Sequence, residues 1–357
     1  MALQFILGPA RSGKTTYIYD RIIRESMEKP DQEFFLLVPD QSTLNAQREL
    51  VTRHPAHGTM NIDVVGFFRL AYRIFEELSY VPKNLLEDEG KSMVIRKVME
   101  KNRKNLKIFG SSMKKPGFIE ELKSFFAEMY QYDVSRKDLE DAAEHMKHPA
   151  LRAKMDDILL VMTEFEDYIQ ERYLISEQLL DVLAGKMEES RKLKNAVFYL
   201  DGFTGFTPIQ RKVIQKLMKI GQKVFISMTV DEAAVSKEYR EYELFALPKK
   251  ERMILMRDAM ELGVKVEKDI FCRPDDRGSA QLRHLERNLF RYPYRAWKGE
   301  CQDICVFQAM NPRTESQIIA GRIETLVRKH GYQYKDIVVL TADLESYGSE
   351  LERSFQD

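Results

Sequence analysis

Leu3-Gln4-Phe5-Ile6-Leu7-Gly8-Pro9-Ala10-Arg11-Ser12-Gly13-Lys14-Thr15-Thr16 opens the chain with an apolar run, a glycine-bounded turn and a lysine followed by two threonines. Gly8 to Thr15 fit the phosphate-loop spacing of Gly, four residues, Gly-Lys-Ser/Thr. Such a turn points backbone N–H groups at a phosphate, and the helix that follows presents its positive N-terminal end to the same charge. In this reading Gly8, Pro9, Ala10, Arg11, Ser12, Gly13, Lys14, Thr15 and Thr16 form a nucleotide site. Lys14 reaches the β and γ phosphates of ATP, and the Thr15 hydroxyl ligates Mg2+. The flanks agree: Leu3 to Leu7 reads as a fully buried strand, and a helix is expected from about Gly13 to Met27.

The same rhythm continues outward. Phe34 to Val38 is a second buried-strand pattern stopped by Pro39-Asp40, with a helix expected over Thr43 to Arg53. Ile62 to Val65 is a third, followed by an amphipathic helix over Phe67 to Leu78. Strand and helix in alternation predict a parallel α/β sheet. From about Pro82 to Lys192 apolar residues recur at three and four, as in Met93, Ile95, Val98 and Met99, and strand-like runs disappear. The charge-rich stretch Lys101 to Lys107 reads there as a solvated face. Strands are expected again at Ala196 to Leu200 and Lys223 to Met228, with helices at Pro208 to Ile220 and Lys249 to Leu262. A second core is expected from strands Ile304 to Gln308 and Ile337 to Leu340, with helices Thr314 to His330 and Ser346 to Phe355. The expected layout is an α/β core over 1–81 and 193–272, a helical insertion over 82–192, a linker over 273–300 and the start of a second α/β domain over 301–357. Two strands and two helices do not close a domain, so a longer polypeptide is expected.

Lys and Arg number 56 and Asp and Glu 56, so net charge names no partner, although a neutral total leaves room for a local basic stripe. The three cysteines, Cys272, Cys301 and Cys305, have no disulfide-framework or CxxC spacing. A reducing, cytoplasmic location is therefore expected, and no run approaches the roughly 18 apolar residues that span a bilayer. His54 with His57, and His145 with His148, lack the further ligands of a metal site.

A nucleotide-hydrolysing core of this kind also needs a carboxylate after a second buried strand, usually with a glutamate beside it to activate water. Asp201, after Leu200, is the candidate: a degenerate acid that would hold Mg2+ together with Thr15. Gly202 follows it, so the adjacent base is missing; a simple Asp-Gly turn is the bland alternative.

Further segments bring a resemblance. Leu37-Val-Pro-Asp-Gln41-Ser-Thr43, Val65-Gly-Phe67-Phe68-Arg69-Leu-Ala-Tyr72, Tyr199-Leu-Asp201-Gly-Phe203-Thr-Gly-Phe206-Thr-Pro-Ile-Gln210 and Gly331-Tyr-Gln-Tyr-Lys-Asp336-Ile-Val-Val-Leu340 follow the phosphate loop in order. This order resembles superfamily 1 helicases of the UvrD type, and more closely the AddB family, the B subunits of bacterial ATP-dependent helicase-nucleases. The resemblance implies a P-loop helicase-like core that binds single-stranded DNA, takes part in reading the Chi signal, and works in double-strand-break processing and recombination beside an AddA-type motor subunit at DNA ends. The family's nuclease domain and iron-sulfur cluster belong to a C-terminal part outside this chain.

Gln41, Thr43, Phe67, Arg69, Tyr72 and Phe206 are the expected DNA contacts: polar side chains for base edges or phosphate, rings for stacking. Phe68 and Phe203 are weighed beside them. Three departures imply an eroded motor: no upstream glutamine motif, Gly202 in place of the catalytic glutamate, and Ala342 where these helicases carry an arginine. Such a core would be at most a weak ATPase. The rival reading is a P-loop small-molecule kinase or other active NTPase, which would need an acidic base and an Arg-rich lid. A scaffold with a relic P-loop is the third.

Overall fold

The computed structural model describes residues 1–357 except 59, 116, 171, 232–234, 236–239, 274–277 and 357. The chain divides into two units, Met1–Asp275 and Asp276–Asp357.

The first unit is built on strands β1 (Ala2–Gly8), β2 (Phe34–Leu37) and β3 (Ile62–Val65), which alternate with helices α1 (Lys14–Glu28), α2 (Thr43–Arg53) and α3 (Phe67–Glu77). After an excursion the chain returns with β6 (Val197–Leu200) and β7 (Lys223–Thr229). All these strands pair in parallel, in the order β3-β2-β6-β7-β1; the short strands β8 (Lys265–Val266) and β9 (Ile270–Phe271) both pair with β1. The strands are apolar throughout because both faces are covered. Phe35, Leu37, Phe198 and Leu200 face one core with α3, while Phe34, Leu36, Val197 and Tyr199 face another with α1 and α2. Parallel pairing brings the C-terminal ends of β1, β2, β3, β6 and β7 to one edge, the usual place for ligands in open α/β sheets.

The excursion holds a two-stranded parallel ribbon, β4 (Asn84–Leu86) with β5 (Tyr173–Ile175), around helices α4 (Asp88–Lys101), α5 (Phe109–Ser112), α6 (Phe118–Gln131), α7 (Arg136–Glu144) and α8 (Pro149–Gln170). This corrects the expectation that the segment lacks strands: three residues are too few to announce a strand by pattern. The helices enclose their own core, with Ile95, Val98, Phe126, Val161 and Phe165 at its centre. Asp157, 1% exposed, accepts the backbone N–H groups of Lys107, Ile108 and Phe109 at 2.7–2.8 Å and so caps α5. Helix α9 (Leu179–Lys186) follows the ribbon and packs Leu179, Leu183 and Ala184 into the sheet's core rather than the insertion's. Glu77 at the end of α3 accepts Ser190 Oγ at 2.5 Å, Arg191 N at 2.7 Å and Lys192 N at 3.1 Å, fastening the chain where it returns to the sheet. Helix α10 (Pro208–Ile220) starts with a reciprocal cap between Thr207 and Gln210, and α11 (Ala246–Glu261) buries Leu255 and Ala259 beneath the sheet.

In the second unit, α12 (Ala280–Asn288) lies within the stretch expected to be a linker, followed by α13 (Pro312–His330) and α14 (Leu344–Gln356). The strands expected at 304–308 and 337–340 do not form: Val306, Val338 and Leu340 are 90%, 76% and 91% exposed. An apolar β-branched run becomes a strand only where a neighbour pairs its backbone, and among the described residues nothing pairs with either. Among the described residues of this unit the regular elements are helices, and the strands read from the sequence are not formed.

Candidate nucleotide site and nucleic-acid face

Gly8 ends β1 where the chain leaves no space for a side chain: a Cβ there would lie 2.4 Å from both the Cys272 carbonyl oxygen and Ser12 Oγ. The loop turns through Arg11 and Gly13 at φ +57° and +81°, and Tyr17 N donates to Gly13 O at 2.8 Å to start α1. The Lys14 ammonium folds back over the loop and donates to Gly8 O at 2.9 Å and Pro9 O at 2.8 Å. Ser12 Oγ is buried with no hydrogen-bond partner, an orphaned hydroxyl inside the loop. That orphan, together with the left-handed glycine and the lysine, fits a phosphate-holding loop. Pro9 is partly covered, and Ala10, with Thr15 and Thr16 in the first turn of α1, is exposed.

Asp201, 5% exposed, follows β6 and accepts a hydrogen bond from Ser227 Oγ on β7. Thr15 and Asp201, the two expected Mg2+ ligands, line one cavity of about 520 Å3. Sequence reading missed several polar residues of its wall, among them Tyr19 on α1, and Asn45, Arg48, Glu49 and Arg53 on α2. Burial, then the charges of Asp201 and Glu49, push the Tyr19 hydroxyl up to about 12, with Arg53 opposing. Gly202 also lines the cavity at φ +78°, a conformation a glutamate there would adopt only with strain. Among the described residues no cluster of three metal-ligating side chains occurs, and no helix is long and apolar enough to cross a membrane.

The second set of expected contacts lies at the ends of β2 and β3. Gln41 is exposed in the link between β2 and α2, and Thr43 Oγ1 donates locally to Asp40 O at 2.9 Å. Asp40 lies against Gly66, so this link meets the start of α3. On α3, Arg69 and Tyr72 face outward, Tyr72 being 47% exposed, whereas Arg73 is tied to Asp63 at 3.2 Å.

The family model described as ADDB, N-terminal, matches residues 5–286. The chain belongs to the AddB family. Relatives of this AddB-family chain include proteins named as the B subunit of an ATP-dependent helicase/deoxyribonuclease. The one from Lachnoclostridium phytofermentans is 37% identical over the whole chain and 32% of the relative. That from Caldanaerobacter subterraneus is 33% identical over 97% of the chain and 30% of the relative. The Clostridium tetani protein is 31% identical over the whole chain and 32% of the relative. The chain thus spans about a third of the length of these relatives.

Within the AddB-family chain two of the expected DNA contacts need correction. Phe67 and Phe206 are 3% and 9% exposed and meet edge to face at 6.3 Å, with Phe203 against both. They form a ring cluster in the core beneath α3, and neither offers a face to a base. The helical period carries the signal: Phe67, Leu70, Ala71 and Ile74 share the buried stripe, while Phe68, Arg69 and Tyr72 share the open one.

Proposed function

We propose that this chain is the N-terminal, helicase-like part of an AddB-type subunit that holds ATP-Mg2+ at Gly8 to Thr16 and binds single-stranded DNA through Gln41, Arg69 and Tyr72. In this reading it works in the cytoplasm on DNA ends beside an AddA-type motor, and contributes to Chi recognition. The observation that carries the nucleotide part is Thr15 and Asp201 on one cavity beside a loop with an unpartnered buried hydroxyl. ATP bound there would have its phosphates held by loop N–H groups and Lys14, and its metal by Thr15 and Asp201. The neighbouring Gly202 supplies no base to activate water, so turnover is weak.

The test is anisotropy of labelled single-stranded oligonucleotides with and without ATP-Mg2+. Arg69→Ala weakens a salt-sensitive DNA affinity, while Lys14→Ala lowers nucleotide affinity and spares DNA. DNA binding indifferent to Arg69→Ala refutes the DNA part. Glu49 on the cavity wall favours one other reading, phosphate transfer to a bound small acceptor; tight ATP binding with no DNA affinity at low salt would select it.

A further inference from the structure

The helical insertion carries a concavity of about 940 Å3 between α4, the turn after it and the segment before α6. Its wall holds five basic side chains, Arg96, Lys97, Arg103, Lys114 and Lys115, against two carboxylates, Glu100 and Glu120. Glu120 is already engaged: it pairs with Lys123 at 2.5 Å and accepts Ser92 Oγ at 2.8 Å.

Some basic residues elsewhere in the insertion are neutralised, whereas Lys137, Lys147 and Lys154 are exposed singly outside the groove. Lys101 pairs with Glu164 at 2.7 Å, Lys107 with Asp156 at 2.6 Å and Lys91 with Glu177 at 2.8 Å. The five groove cations are all exposed, and none has a carboxylate within ion-pair distance among the described residues. Unneutralised like charges repel one another and raise the local field, so this wall is arranged for a polyanion. The lining includes Met93, Met113 and Ile119, and the adjoining ring, Tyr168, is already engaged by Lys97, whose ammonium lies 4.8 Å from the ring centre and donates to its hydroxyl at 3.3 Å. Single strands are held largely by stacking bases on rings, whereas a duplex keeps its bases stacked internally and presents phosphates.

We propose that this groove is a docking site for the phosphodiester backbone of duplex DNA, separate from the face that carries Arg69 and Tyr72. The proposal rests on reading the chain as a DNA-binding subunit, and not on its nucleotide site. Because the contacts are ionic, binding is insensitive to base sequence and falls steeply with salt.

The experiment measures anisotropy of the 357-residue chain with an end-labelled duplex and with a single strand of equal length, across a salt titration. Arg96→Glu with Lys114→Glu and Lys115→Glu is compared with Lys137→Glu, Lys147→Glu and Lys154→Glu, an equal charge change on exposed lysines outside the groove. The groove variant is expected to lose at least about tenfold more duplex affinity than the control, and to flatten the salt slope by roughly three counterions. Replacing the same three residues by Gln gives a smaller loss in the same direction. Equal losses in the two triples overturn the proposal. So does tighter binding of single strand than of duplex by the unmodified chain, no duplex binding at low salt, or a loss confined to a polyglutamate probe. Arg69→Ala on the single strand reads the first DNA face separately, so failure of the groove and failure of the subunit reading are distinguishable.

Discussion

The carboxylate of Asp40 fills the space in which a side chain on Gly66 would begin, with Oδ1 1.8 Å from that Cβ position. Burial raises the Asp40 carboxyl above the usual carboxylate range. Gly66→Ala therefore forces the Asp40 carboxylate to turn away from the start of α3, at a cost of about 1 kcal/mol. Asp40→Ala removes the clash, so the double variant is expected to recover most of that loss. Denaturant melts of the two singles and the double check it; strictly additive losses contradict the contact.

Lys14→Ala removes two hydrogen bonds to carbonyls on a partly exposed loop, so its stability cost is small, about 1 kcal/mol. Nucleotide affinity is expected to fall at least about tenfold. Calorimetric titration of ATP-Mg2+, read beside a thermal melt, separates the two effects.

Gly202 sits at φ +78° with its nearest prospective neighbour, Pro39 Cδ, at 3.5 Å, so the obstacle to a side chain is backbone conformation rather than space. Gly202→Glu is expected to cost about 1–2 kcal/mol, and Gly202→Asn less, since Asn tolerates the left-handed region. Equal unfolding midpoints for the two would contradict this cause.

Phe67 and Tyr72 should part company under truncation. Phe67→Ala opens a cavity beneath α3 and is expected to cost about 3–5 kcal/mol. Tyr72→Ala changes stability by less than about 0.5 kcal/mol yet lowers single-strand affinity several-fold. A melt and an anisotropy titration on each variant give four readings, and a stability loss in Tyr72→Ala matching that of Phe67→Ala would remove it from the open face.

Glu77 gives the fold an acid-sensitive fastening. Burial pushes its carboxyl up, but the hydrogen bonds from Ser190, Lys192 and Arg191, with the charge of Lys192, outweigh that and hold it below the ordinary value of 4.5. A depressed carboxyl contributes stability above its unfolded value and loses it as pH falls through the folded one. Stability is thus expected to drop below about pH 4.5, and Glu77→Gln to show a shallower drop over that window while being less stable at pH 7. A Gln variant with an unchanged acid limb would show that this latch is not what titrates.

The sheet was legible because its strands are buried on both faces: Phe34 to Leu37 and Val197 to Leu200 are unbroken apolar runs bounded by turn residues. The turn from Gly8 into α1 was legible because the glycines that shape it are local in sequence. Legibility failed where structure depends on partners. The ribbon strands β4 and β5, and the additions β8 and β9, are two or three residues long and exist only through pairing with distant neighbours. The runs at 304–308 and 337–340 have strand composition, but nothing pairs with them among the described residues. That Thr15 and Asp201 share a cavity follows from their places at the ends of β1 and β6, whereas Arg48, Glu49 and Tyr19 entered it because α1 and α2 pack side by side. Burial of Phe67 and Phe206 followed from helix phase and tertiary packing, which composition does not convey.

The ribbon of β4 and β5 pairs Asn84 with Tyr173 and Leu86 with Ile175, so the insertion leaves and rejoins the sheet through one doorway about one strand spacing wide. Its core is its own. The helices beyond that doorway form a cassette that can be lengthened, exchanged or cut out and bridged by a short turn, while the sheet and its phosphate loop keep their order. Sequence change can therefore accumulate in the cassette independently of the sheet edge that carries Gly8 and Asp201.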